Sequence, residues 1–72
     1  MKIISERIEA LRTSEGLSQK ELARELGLSK DIVARWANEN TRIKLKYIVA
    51  LYDYFNVSID YLFGKTDKTH LE

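Results

Sequence analysis

The sequence predicts a small, compact all-α domain of five helices, and three features of its 72 residues support this class. Proline is absent and glycine occurs only three times, so few residues interrupt a helix. Apolar residues recur at helical spacing, whereas the two-residue alternation of a strand never persists. The length corresponds to one domain, and an apolar content of 44% is sufficient for a compact core.

The first three helices are predicted from apolar spacing and from the residues at their ends. One helix presents Ile4, Ile8 and Leu11 on a single face and ends before Gly16. A capping box at 18–21 opens the second helix, which ends at Gly27. Ser29 is a good N-cap for the third. The residues predicted to face inward from the second and third helices are Leu22, Ala23, Leu26, Val33 and Trp36.

A loop over 38–44 and two further helices complete the prediction. The fourth helix ends at Asn56, and the fifth begins after Ser58 and ends at Gly64. The apolar residues assigned to these helices are Leu45, Ile48, Leu51, Tyr52, Phe55, Ile59, Leu62 and Phe63. We assign 1–67 to the domain and 68–72 to a tail, whose last two residues are compatible with a tag remnant.

The composition argues against several classes of protein. The chain has no cysteine and a single histidine, His70, so it lacks the residues for a zinc site or a catalytic triad. We therefore expect no metal, no cofactor and no enzymatic activity. No apolar run approaches the roughly 18–20 residues of a membrane span, and the N-terminus has no signal-peptide core. The expected location is cytoplasmic, with no membrane partner.

The net charge of +1 hides an uneven distribution along the chain. Residues 1–28 carry five basic and five acidic side chains. Residues 29–47 carry five basic side chains against two acidic ones, whereas residues 48–72 carry two against four. Because the positive charge is concentrated in the middle of the chain, a polyanion would bind there, and the acidic C-terminal part would face away from it.

Residues 18–38 predict a helix-turn-helix motif. Two helices of about eight residues, joined by a short turn with a glycine, must cross steeply. Ala23 is small enough for the helices to approach, and Gly27 permits the turn. The run 17–23, the run 26–29, the pair Arg35-Trp36 and the ending 55–67 resemble the lambda-repressor-like Cro/CI family, also called the XRE family. The resemblance covers nearly the whole chain and implies a five-helix domain whose third helix lies in the DNA major groove.

The chain departs from the family pattern after Trp36. Members usually have Glu-Asn-Gly and then a proline, whereas this chain has Ala37-Asn38-Glu39, with Ile43 near the place of the proline. In the family the glutamate commonly pairs with an arginine that corresponds to Arg12. We therefore expect Arg12 either to pair with Glu39 or to be free to reach a phosphate.

The exposed face of the third helix supplies the candidate DNA contacts. The N-terminal part of such a helix contacts base edges, and an arginine can bridge guanine O6 and N7 with two hydrogen bonds. The residues predicted to contact bases are Ser29, Lys30, Asp31 and Arg35. Asp31 could also form an ion pair with Arg35 one turn later. The residues predicted to contact phosphates are Arg12, Gln19, Asn38, Asn40, Thr41, Arg42 and Lys44.

These features predict a sequence-specific regulator of transcription, most simply a repressor that binds a palindromic operator on double-stranded DNA as a homodimer. The candidate dimer residues are Tyr54, Ile59, Tyr61 and Phe63. No small-molecule effector is expected. The alternative is a protein-interaction module on the same fold, such as an antitoxin or an anti-regulator, which the near-neutral charge and the acidic C-terminal part favour.

Overall fold

The computed structural model describes residues 1–69, and this part of the chain folds into five helices without strands. The helices are α1 (Lys2–Ser14), α2 (Gln19–Leu26), α3 (Lys30–Trp36), α4 (Leu45–Phe55) and α5 (Ile59–Leu62). The all-α, five-helix prediction is therefore confirmed. The single histidine and the predicted tag remnant, at 70–72, lie outside the described residues. None of the five helices is both long and apolar enough to cross a membrane.

One hydrophobic core joins all five helices. The α2–α3 pair packs together most extensively, α5 packs on α1 and α4, and α4 also contacts α2. The buried apolar residues of this core are Ile4, Ile8, Leu11, Leu22, Ala23, Val33, Trp36, Ile43, Ile48, Leu51, Phe55, Val57, Tyr61 and Leu62. Trp36 is only 2% exposed, which confirms its predicted role in the core.

The exposure of two side chains, Leu45 and Tyr61, is the reverse of what the sequence predicts. Leu45, expected in the core, is 66% exposed, because Ile43 in the preceding loop fills the core beside the start of α4. Tyr61, a candidate for the dimer interface, is instead buried in the core. The guanidinium carbon of Arg7 lies 4.4 Å from the centre of the Tyr61 ring and covers it, in the geometry of a cation–π contact.

The helix ends follow the local signals of the sequence. Ser18, Ser29 and Ser58 each accept a hydrogen bond from the backbone N–H three residues later. Asn56 and Gly27 end α4 and α2 in the left-handed conformation, with φ of 53° and 70°. These caps satisfy backbone groups that a helix end leaves without partners, and they fix where each short helix starts and stops.

The capping box of α2 leads to a prediction about pH. Ser18 N–H donates to Glu21 Oε1 at 2.9 Å, and this backbone hydrogen bond is the main reason that the pKa of the Glu21 carboxyl is lowered. A carboxylate with a lowered pKa stabilises the fold above its unfolded pKa, and this contribution disappears as the pH falls through the folded value. We expect Glu21→Gln to reduce the free energy of unfolding at pH 7, and the difference in stability between the variant and the wild type should shrink as the pH falls through the folded pKa of Glu21.

Urea denaturation at a series of pH values measures this difference. The matched control is Glu6→Gln, because Glu6 is an exposed carboxylate of α1 that makes no ion pair within residues 1–69. Its substitution should leave the pH dependence nearly unchanged. A Glu21→Gln variant that remains as stable as the wild type at every pH would show that the box contributes no charge-dependent stability.

Candidate nucleic-acid interface

The turn between α2 and α3 orients the two helices as the motif requires. Gly27 adopts a positive φ, and the N–H of Leu28 donates to the carbonyl of Ala23 at 2.8 Å. Ser29 then caps α3 directly, so only three residues separate the two helices. Leu22 and Ala23 are 0% and 2% exposed, and α2 and α3 make the most extensive contact of any two elements in the described chain.

Helix α3 has one buried face and one exposed face. Val33 and Trp36 are buried in the core, and they hold the helix rigidly against the rest of the domain. Lys30, Asp31 and Arg35 are exposed on the other side. The predicted ion pair of Asp31 with Arg35 is wrong, because neither side chain takes part in an ion pair within residues 1–69. The guanidinium of Arg35 is therefore free to contact an external acceptor.

Ser29 has two roles available to it. Its Oγ accepts from the N–H of Ile32 at 3.3 Å, as an N-cap should, while the hydroxyl hydrogen stays available to a ligand. Gln19 is the first residue of α2 and is half-buried, close to the positive end of that helix dipole. The predicted DNA contacts of both residues remain predictions.

The loop between α3 and α4 is held in place by a hydrogen bond within it and by others from Met1. Asn38 Oδ1 accepts from the N–H of Asn40 at 2.9 Å, which closes a local turn. The Met1 ammonium donates to the carbonyl of Glu39 at 2.8 Å, and the sulfur of Met1 accepts from the N–H of Ile43. This anchored loop presents exposed polar and basic side chains, namely Asn38, Asn40, Arg42 and Lys44, with Thr41 half-buried beside them.

The structure contradicts both alternatives for Arg12. Its guanidinium pairs with Glu9, with an NH2–Oε2 distance of 2.6 Å, and also donates to the carbonyl of Leu17. The hydrogen bonds that Arg12 donates to the Glu9 carboxylate raise the pKa of Arg12, so the guanidinium stays charged. Because Arg12 is held by a residue three positions earlier and its side chain is only 16% exposed, it ties α1 to the start of the motif and is not a free phosphate ligand.

Comparison with known proteins agrees with this geometry. A family model described as helix-turn-helix matches residues 8–62, a range that contains α2, the turn and α3 in full. The chain belongs to the helix-turn-helix family. Its assignment to the lambda-repressor-like branch of that family is also confirmed.

A named relative of this helix-turn-helix domain is longer than the chain itself. The uncharacterized HTH-type transcriptional regulator YobD of Bacillus subtilis (strain 168) is 31% identical over 62 residues. The aligned part makes up 86% of this chain and 55% of the relative. The chain therefore spans about half the length of the curated relative that it matches.

Three of the four candidate dimer residues of the helix-turn-helix domain are exposed. Ile59 and Phe63 are each 40% exposed, and the N–H of Phe63 donates to the carbonyl of Ile59, which places the two one turn apart. Tyr54 is 38% exposed, and its hydroxyl lies 3.3 Å from Glu25 Oε1. Tyr61 is excluded by its burial.

Sequence reasoning missed a groove next to α3. Residues from α3, the loop and the start of α4 enclose about 240 Å³. The groove is lined by Ile32, Arg35, Trp36, Arg42, Ile43, Lys44 and Tyr47. The helical spacing of Trp36 indicated burial but could not indicate an adjoining groove. The described residues contain no cluster of three or more acidic, histidine or cysteine side chains placed to hold a metal ion.

Proposed function

We propose that this domain binds double-stranded DNA sequence-specifically and regulates transcription as a repressor, through a dimer on a palindromic operator. The observation that carries the proposal is the exposed face of α3, where Lys30, Asp31 and Arg35 stand on a helix that is fixed to the core by Val33 and Trp36. A rigid helix with exposed hydrogen-bonding side chains near its N-terminus is suited to the major groove.

The loop after α3 would supply contacts to the DNA backbone. Arg42 and Lys44 are exposed and unpaired within residues 1–69, and Asn38, Asn40 and Thr41 add short polar groups beside them. Phosphate contacts of this kind fix the position and orientation of the protein but carry no sequence information. Base discrimination would therefore come from α3, and most of the salt-dependent affinity from the loop.

A second copy would bring a second α3 to the other half-site. A domain of this size makes few contacts, so two linked copies raise the affinity greatly. Ile59 and Phe63 are the exposed apolar residues of the α5 end that support such an interface. Two-fold symmetry would place the half-sites about one helical turn apart, roughly 10–10.5 bp.

Selection of bound duplexes from a random pool tests the operator and its symmetry. An enriched inverted repeat with the expected spacing supports the proposal, whereas the absence of any enriched sequence would contradict sequence specificity. A titration of the selected duplex should then show that the logarithm of affinity falls linearly with the logarithm of salt concentration. The expected slope is roughly 0.9 per phosphate contact. Affinity that does not change with salt would argue against loop–phosphate contacts.

A protein-interaction module is the second candidate, and the outer face of α4 favours it. Leu45 and Val49 lie one turn apart, 66% and 37% exposed, and DNA backbone offers little to such side chains. Leu45→Ser and Arg35→Ala separate the two functions. A regulator that binds DNA should lose duplex affinity with Arg35→Ala and keep it with Leu45→Ser, whereas a protein-binding module should lose its partner with Leu45→Ser.

A further inference from the structure

We propose that the groove beside α3 binds a small organic anion, namely a phosphate or carboxylate attached to one flat apolar ring, and that this anion competes with DNA. The site would give the domain an effector, which the sequence did not lead us to expect. The competition rests on the proposed DNA-binding function, whereas binding of the anion itself does not.

The charge of the groove selects an anion. Arg35, Arg42 and Lys44 line it, and no carboxylate does. Within residues 1–69 none of these three cations forms an ion pair. Lys46 adds a fourth positive charge, because its Nζ lies 5.2 Å from the centre of the Tyr47 ring. Guanidinium groups bind phosphate and carboxylate oxygens with paired hydrogen bonds, so the two arginines suit either head group.

The walls of the groove select a ligand with an apolar part. The rings of Trp36 and Tyr47 meet at 52° with their centres 5.7 Å apart, and Ile32 and Ile43 complete the lining. Trp36 and Ile43 are almost fully buried, whereas Ile32 and Tyr47 are only half-buried. An inorganic anion would leave the apolar surface of these two in contact with water, whereas a flat ring would cover it and be stabilised by doing so. Basic groups and aromatic walls in one groove therefore favour an anion that carries a ring.

The size of the groove limits the ligand. A volume of about 240 Å³ is below the roughly 300–1,000 Å³ of pockets that hold drug-sized ligands. That space holds one ring with its anionic group. A nucleotide of the DNA backbone offers similar chemistry, a phosphate next to a flat group, so the test must separate the free anion from the duplex.

Competition with DNA follows from the position of Arg35. This side chain lines the groove and is also exposed on the face of α3 that we propose for the major groove. A guanidinium that binds an anion in the groove cannot bridge a guanine at the same time. Arg42 and Lys44 are shared in the same way between the groove and the phosphate-contacting loop.

Phenyl phosphate and inorganic phosphate are the probes, and Trp36 is the reporter, since it is the only tryptophan of the chain and lines the groove. At constant ionic strength, phenyl phosphate should change the Trp36 fluorescence saturably and bind about tenfold more tightly than inorganic phosphate, because the ring covers apolar surface. Arg42→Gln and Lys44→Gln should weaken this binding, whereas Arg24→Gln, an equal charge loss on α2 outside the groove, should not.

A second experiment measures competition with DNA, and it uses the duplex that was enriched from the random pool. Its affinity for the protein alone is measured first, so a failure of DNA binding is seen separately from a failure of the groove. Phenyl phosphate should then raise the apparent Kd of the duplex more than inorganic phosphate does at equal ionic strength. Equal effects of the two phosphates, or phenyl phosphate binding that is unchanged by Arg42→Gln, would overturn the proposal. A fluorescence change with duplex but none with phenyl phosphate would assign the groove to the DNA backbone and overturn it as well.

Discussion

Leu22→Ala is expected to destabilise the domain by about 2–5 kcal/mol, the usual cost of deleting a fully buried leucine side chain. Leu22 is 0% exposed in the hydrophobic core, on a helix whose most extensive contact is with α3. A chain of 72 residues has a total stability of roughly 4–11 kcal/mol, so this loss is a large fraction of it. The midpoint of thermal unfolding should fall by at least about 10 °C.

Leu45→Ala is the matched control for this substitution. It removes the same atoms from a side chain that is 66% exposed, so its effect on the free energy of unfolding should stay within about 0.5 kcal/mol. Urea denaturation followed by circular dichroism compares the two variants under one condition. Equal losses in both variants would mean that Leu22 does not carry the packing of α2 on α3 that we describe.

The parts of this fold that depend on residues close together in the sequence were predictable. Ser18 and Glu21 form the predicted capping box, and Gly27 ends α2 in the predicted left-handed conformation. These interactions span three or four residues, so the sequence contains all of their participants. The same is true of the core positions on α1, whose helical spacing places Ile4, Ile8 and Leu11 on one face.

The wrong predictions concern apolar residues whose burial or exposure is decided by tertiary packing and not by the local sequence pattern. Leu45 fits the apolar period of α4, yet it lies at the first position of the helix, and the loop residue Ile43 takes the place beside it in the core. Tyr61 lies on a helix of only four residues, too short for its period to define a buried face. Its ring is covered by Arg7 of α1, 54 positions away in the sequence.

In the candidate site, too, features that depend on residues close in the sequence were predictable, whereas contacts between distant residues were not. The exposed face of α3 was predictable because it is the complement of the buried face that contains Val33 and Trp36. Arg12 pairs with Glu9, three positions earlier, a local partner that differs from the Glu39 suggested by the family pattern. The contacts of Met1 with the loop join residues 38–42 positions apart, and only the folded structure brings them together.

Arg35→Ala is expected to weaken binding to the selected duplex by at least about fivefold without loss of fold. The residue is exposed, makes no ion pair within the described chain and caps no helix, so its removal should cost little stability. A bidentate arginine–guanine contact contributes about 1–3 kcal/mol of discrimination, which corresponds to a factor of roughly 5–150. Fluorescence anisotropy with labelled duplex measures the loss, and Arg24→Ala, which removes the same charge from α2, controls for general electrostatics.

Arg35→Lys separates base reading from charge. Lysine keeps the positive charge but lacks the planar fork that bridges guanine O6 and N7. If Arg35 reads a base, the lysine variant should bind unrelated duplex as well as the wild type does, and it should lose most of its preference for the selected site. If Arg35 only contacts phosphate, the lysine variant should retain both the affinity and the preference. The ratio of specific to non-specific affinity at one salt concentration therefore distinguishes the two roles, and an unchanged ratio would remove Arg35 from the base-reading set.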